Sequence, residues 1–181
     1  MASAQRFEDI RRNLTLDASG GLTLYSLPMI LLPSHFFVYI MEQVEAVAGP
    51  DALARIYRQA GYDGAVTFCR RRRESLHCSP LDTVAGYLAE MSVRGWGRFE
   101  ILELDPARPR LRARLTNSAL AEARLRGPRH EVWVGAMEGA LAFLLETAGR
   151  SARLTAREVA PEPGDAAGAC RIHVDAAEAR P

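Results

Sequence analysis

A tryptophan held between two glycines, Arg94-Gly95-Trp96-Gly97, opens the run Arg98-Phe99-Glu100-Ile101 and constrains this chain more than any other segment. Glycine tolerates positive φ and close backbone approach, so Gly95 and Gly97 let the chain bend around a large ring as it enters a strand. A second strand follows at once. Leu111, Ala113 and Leu115 alternate with Arg110, Arg112 and Arg114, giving one dry and one wet face. Asp105-Pro106-Ala107-Arg108-Pro109 makes the turn between the two. Leu102 and Leu104 run out of phase with Phe99 and Ile101, which requires a bulge or burial on both faces.

Helical spacing surrounds this hairpin. Leu22 to Tyr25 reads as a short strand, and Ser34 as the N-cap of a helix through Phe37, Ile40, Met41 and Val44. Gly49 breaks that helix, and Pro50 begins the next, which carries Leu53, Ile56, Tyr57 and Ala60 and continues through Phe68 into Arg70–Arg73. Ser79-Pro80-Leu81-Asp82 is another helix start: N-cap serine, proline at the first position, carboxylate near the positive end of the dipole. Asn117 to Arg129 is polar and reads as a short helix and loop. Glu131 to Ala148 is the strongest helix, with Trp133, Met137, Ala140 and Leu144 on one stripe and Gly135 and Gly139 in a small-residue groove. Ala152–Val159 and Ala169–Val174 form a closing hairpin. The order predicts an α+β fold, an antiparallel sheet of about four strands (two hairpins) covered by helices. One domain spans residues 21–175, between a flexible lead-in over 1–20 and a disordered tail over 176–181.

Composition narrows the function. The 23 basic residues are all arginine, which excludes a Schiff-base lysine, a P-loop lysine and a lysine general base. A net charge of +1 provides no field to attract nucleic acid or an anionic membrane. Pro28 and Pro33 cut the apolar stretch Leu22–Met41 into pieces too short to span a bilayer. Three scattered cysteines, Cys69, Cys78 and Cys170, fit a reducing compartment, and the charged N-terminus lacks a signal peptide's apolar core, so a cytoplasmic location is expected. No dinucleotide, P-loop, metalloprotease or nucleophile-elbow motif occurs, which gives a redox enzyme acting alone little support and leaves the question of an enzyme open, with a non-enzyme favoured.

Several residue groups could still carry chemistry. Arg70–Arg73 suits an anion site, although a solvated helix end is the plainer explanation. Cys69, His77 and Cys78 lack metal-ligand spacing, and buried thiols explain them more simply. His35 and Tyr39 offer polar points on an aromatic wall, against which stands ordinary core packing. Glu138, inside the most apolar helix, is either a buried acid or an edge residue.

Four segments taken in order resemble the 4-vinyl-reductase domain family. They are Ala54-Arg55-Ile56-Tyr57-Arg58-Gln59-Ala60-Gly61-Tyr62 with Gly64, Arg94-Gly95-Trp96-Gly97 into Ile101, Gly135-Ala136-Met137-Glu138-Gly139-Ala140, and the last hairpin with Glu158 and Cys170. The resemblance covers roughly residues 45–175. It implies a homodimer with an apolar pocket between helices and sheet, sensing or carrying a small apolar or aromatic metabolite. His35, Tyr39, Trp96, Phe99, Trp133 and Met137 are the pocket walls this reading selects. Two alternatives go with it: an accessory role in reducing a tetrapyrrole vinyl group, and a protein-interaction module without ligand. No cofactor is expected from the motifs; zinc is the one exception the resemblance admits. In the phenol-sensing branch a zinc sits on cysteines and a glutamate. Here Cys170 falls on the last ligand position, Glu158 lies close to the glutamate and His130 stands about where the first cysteine would be, while the Pro161-Glu162 region replaces the middle cysteine.

Overall fold

The computed structural model describes residue 8 and residues 10–176. Three short strands, β1 (Leu14–Leu16), β2 (Leu22–Leu24) and β3 (Leu27–Met29), form an antiparallel meander. Helices α1 (Ser34–Ala48), α2 (Pro50–Leu76) and α3 (Pro80–Val93) follow, then the hairpin β4 (Arg98–Asp105) and β5 (Arg110–Thr116). Helix α4 (Glu131–Thr147) and the hairpin β6 (Leu154–Val159) and β7 (Cys170–Ala176) complete the chain. The main sheet is antiparallel in the order β4-β5-β7-β6, so the fold is α+β as the sequence indicates.

The alternation read from β5 sets the inner face of this sheet. Leu111, Ala113 and Leu115 are buried opposite Val174, Ile172 and Cys170 of β7. The register between β4 and β5 shifts between Ile101 and Glu103, which returns Leu104 to the row of Leu111 and accounts for the phase break. Gly95 and Gly97 hold φ of +88° and +134°, and a side chain at Gly97 would strike Leu115. These two positions need glycine.

Helix α4 lies between the sheet and α2. Its sequence suggests a single stripe, yet eleven of its residues are buried, because both sides are covered. The α2 side depends on missing side chains. A Cβ on Gly135 would overlap the carbonyl of Arg58, one on Gly139 the carbonyl of Tyr62, and one on Gly61 of α2 the carbonyl of Val132.

The meander reaches the helices through its own turn. Tyr25 and Ser26 join β2 to β3 with φ of +52° and +61°, a left-handed pair in the place usually held by Asn-Gly. Tyr25 is buried edge-on against Phe68 of α2, with its hydroxyl donating to Glu90 of α3 at 2.8 Å. Arg72 donates to the same Glu90 oxygen at 2.8 Å. That buried pair corrects the plain reading of Arg70–Arg73: Arg70 and Arg71 pair with Glu146 and Glu74 at the exposed surface, but Arg72 turns inward.

Four further expectations change. Residues 10–13 are helical, Leu14–Leu16 is a strand and Ile10 is buried, so order begins well inside the expected lead-in; residues 1–7 and 9 lie outside the described residues. Strand β7 runs through Ala176, one residue into the expected tail, whose remainder (177–181) also lies outside the described residues. Helix α1 begins at Ser34 behind Pro33 without a side-chain cap, whereas Ser79 does cap α3, accepting from the Asp82 amide. Residues 117–129 form turns without a helix, held by α1: Glu42 accepts from the Arg124 amide and Glu45 from those of Arg126 and Gly127.

Candidate functional site

Five rings from four elements and a turn meet beside the first turns of α4. Trp96, at the bend the two glycines create, lies 5.2 Å from Trp133 of α4 and 5.2 Å from Phe37 of α1. Phe99 of β4 stands 5.6 Å from Trp133, and Tyr57 of α2 5.7 Å from Phe37. All these contacts are edge-to-face, the arrangement ring quadrupoles favour. Trp133 is 5% exposed, and its indole Nε1 is buried without a hydrogen-bond partner among the described residues. Buried donors are nearly always paired, and this N–H is left free to donate to an incoming acceptor.

A groove of about 850 Å³ opens beside the cluster. Phe99 and Ile101 of β4 form one wall, and Leu88, Ala89 and Ser92 of α3 the other. Ser92 fixes the rim: its hydroxyl donates to the Leu88 carbonyl and accepts from the Phe99 amide at 2.9 Å. Of the six pocket residues selected from sequence, Trp96, Phe99 and Trp133 are in ring contact, and Met137 is fully buried one helical turn beyond Trp133. His35 and Tyr39 stand apart. Both are exposed on α1, Tyr39 by 65%. Phe37 and Tyr57 are cluster members the sequence reading did not select for the pocket.

A second polar group lies at the other side of the α4 start. His130 precedes the helix, Glu158 is on β6 and Cys170 begins β7; one donor atom from each lies within 4.8 Å of the others. This is the one such group of potential metal ligands among the described residues. His130 Nδ1 and Glu158 Oε1 are 2.9 Å apart, while the buried His130 Nε2 lacks a partner among the described residues. Burial, with Glu158 adding to it, pushes the Cys170 thiol up to about 12. Imidazole, carboxylate and thiolate are a zinc-type donor set, and the three fit such an ion once the thiol loses its proton.

Glu158 and Cys170 also line a pocket of about 460 Å³, with Arg58, Glu131 and Arg157. Arg58 ties its walls together: its guanidinium donates to Glu138 at 3.0 Å, to the Ala156 carbonyl at 2.8 Å and to Glu131 at 3.5 Å. Glu138 is therefore a partly buried partner of Arg58. Burial raises the Glu131 carboxyl, with Arg58 opposing. Glu131 and Glu138, two turns apart on one helix face, are the sequence signal that could have marked Arg58 as their cation. Cys69, by contrast, is fully buried with its thiol pushed up to about 12 by burial, an inert packed residue.

A helical layer over a four-stranded antiparallel sheet, with rings gathered at one end of a central helix, defines the α+β class of this fold. The fold is similar to that of the phenol-responsive sensory domain of the transcription activator PoxR, solved with phenol. The TM-score is 0.73 at 14% identity, covering 96% of this chain and 89% of that one. The chain belongs to the family described as domain of unknown function DUF5943, whose model matches residues 11–102. No curated protein matches the sequence. No helix among the described residues is long and apolar enough to cross a membrane.

Proposed function

We propose that this protein binds a small aromatic molecule bearing an oxygen acceptor, and acts as a non-enzymatic sensor or carrier in the cytoplasm. The unpartnered Trp133 indole N–H, enclosed by Phe99 and Trp96, carries this reading. Leaving such a donor unsatisfied costs about 1–3 kcal/mol, which a ligand oxygen would recover. The ring edges supply apolar walls, and the groove at Phe99 supplies an approach. The likeness to a phenol-responsive domain and the 4-vinyl-reductase resemblance point the same way. A thermal-shift panel of phenols against benzene and toluene tests it. Phenols should raise Tm more than the hydrocarbons, and Trp133→Phe should remove the difference. A flat panel would contradict the assignment.

A second reading has its own observation. The convergence of His130, Glu158 and Cys170 supports a bound zinc. Metal analysis of the purified chain should find about one equivalent, lost in Cys170→Ser. The exposed apolar row Ile30, Leu31, Phe36, Tyr39, Ile40 and Val47 supports a homodimer. Light scattering should return twice the chain mass, falling to one in a Phe36→Glu, Ile40→Glu variant.

A further inference from the structure

We propose that the edge of strand β4 docks an extended, acidic segment of a partner protein, which joins the main sheet as a further strand in the groove beside α3. The outline of the groove is the first argument. Gly97, Arg98, Phe99, Glu100 and Ile101 all line it, although successive residues of a strand point to opposite faces. Consecutive residues share a groove only where it runs along the strand's edge. Strand β4 is such an edge, because among the described residues its one neighbour in the sheet is β5. Ala85, Ala89 and Val93, spaced by four along α3, form the opposite wall, and the space between holds about 850 Å³.

Backbone groups are the second argument. The Phe99 amide donates to the Ser92 hydroxyl of α3 and not to β5, so Phe99 turns its backbone toward the groove. Antiparallel alternation turns the N–H and carbonyl of Ile101 to the same side. No loop backbone or side chain among the described residues bonds these Ile101 groups or the Phe99 carbonyl. They form a template for an incoming antiparallel strand. The register shift after Ile101 ends the straight edge, so the added segment is short.

The two faces of β4 select the occupant. Opposite Phe99 and Ile101, the guest's side chains point inward over Ala85 and Ala89 and must be apolar. Opposite Arg98 the guest's side chain points outward beside it. Arg98 is exposed and makes no ion pair among the described residues, whereas Glu100 is held by Arg114 at 2.6 Å. A carboxylate therefore belongs opposite Arg98, since facing opposite charges stabilise a strand pair.

The test titrates the full chain into a fluorescein-labelled peptide of sequence threonine-valine-threonine-valine-glutamate-threonine and follows anisotropy. A saturable rise is expected. N-methylation of both valines, whose amides would face β4, should weaken binding at least about ten-fold. Arg98→Glu should weaken it about five-fold, and a lysine in place of the peptide's glutamate should restore it. No saturable rise by about 1 mM peptide would overturn the inference. Equal affinity for the N-methylated peptide would do the same, because strand pairing requires those amides. A homodimer that the peptide splits, seen by light scattering, would give the edge to a second copy of the chain and overturn the assignment to a partner protein.

Discussion

The first turn of helix α4 and its next two turns are built on opposite terms. Around Gly135 and Gly139 the helix touches the backbone of α2, with no room for a methyl group. One turn earlier, Trp133 and His130 each bury a ring nitrogen without a partner among the described residues. Close packing fills the first region; in the second, polar atoms remain over, the smaller pocket is lined by Glu131, and the larger groove is reached through Phe99, the ring partner of Trp133. One helix thus serves as a rigid floor along most of its length and as a receptive edge at its start. The glycines fix how α4 lies on α2, and that placement brings Trp133 to Trp96 and aligns Arg58 with Glu131 and Glu138.

Gly135→Ala should break the packed region most severely. Alanine favours a helix interior by up to about 1 kcal/mol over glycine, yet here its methyl must displace the Arg58 carbonyl. Overpacking of that kind costs about 3 kcal/mol, and chemical denaturation should show the loss. A stabilised variant would mean the helices are not in contact at this point.

Acid should act on the receptive end through the loop that leads to it. Glu45 lies below its ordinary value of 4.5, chiefly because the Arg126 and then the Gly127 amides donate to it. A depressed folded value means the stabilisation is complete above about 4.5 and is lost as pH falls through that lower value. The Arg126 and Gly127 amide resonances should therefore titrate with a midpoint under 4.5, and not at all in Glu45→Gln. A midpoint above 4.5 would place the carboxylate free of the loop.

Cys170→Ser sharpens the comparison from the other side. Without added metal it should lower stability by about 1–3 kcal/mol, since a polar hydroxyl replaces a buried thiol. With zinc present the wild type should gain melting temperature and the variant should not.

Much of the architecture was legible because local chemistry and tertiary packing agree. The Gly-Trp-Gly bend, the arginine alternation of β5 and the Ser79-Pro80-Asp82 start each state one requirement, and the fold meets it. Trp96, Phe99 and Trp133 were named together only through the family resemblance, and their ring contacts join them in the structure. The exposure of His35 and Tyr39 was not legible, because α1 is apolar nearly all round at its start. With no wet face in the pattern, only contact with α2 and Trp96 decides that Phe37 and Met41 turn inward while Phe36, Tyr39 and Ile40 face out. Tyr25 and Arg72 were hidden differently. A tyrosine in a left-handed turn and an arginine within an arginine run look like surface residues until Glu90, far along the chain, meets both. His130, Glu158 and Cys170 come from a helix start and two strands, and no spacing joins them; only the family resemblance did.

The chain's two tryptophans, Trp96 and Trp133, both stand in the ring cluster, so tryptophan emission, excited selectively over tyrosine, reports on that cluster. A titration of phenol and of benzene into wild type and Trp133→Phe, followed by this emission, tests the central claim most directly. Phenol should produce a saturable change at about one ligand per chain, binding about ten-fold more weakly to the variant, while benzene distinguishes the two proteins little. Emission unmoved by either ligand, or phenol affinity equal in both proteins, would contradict a ligand oxygen at the Trp133 indole.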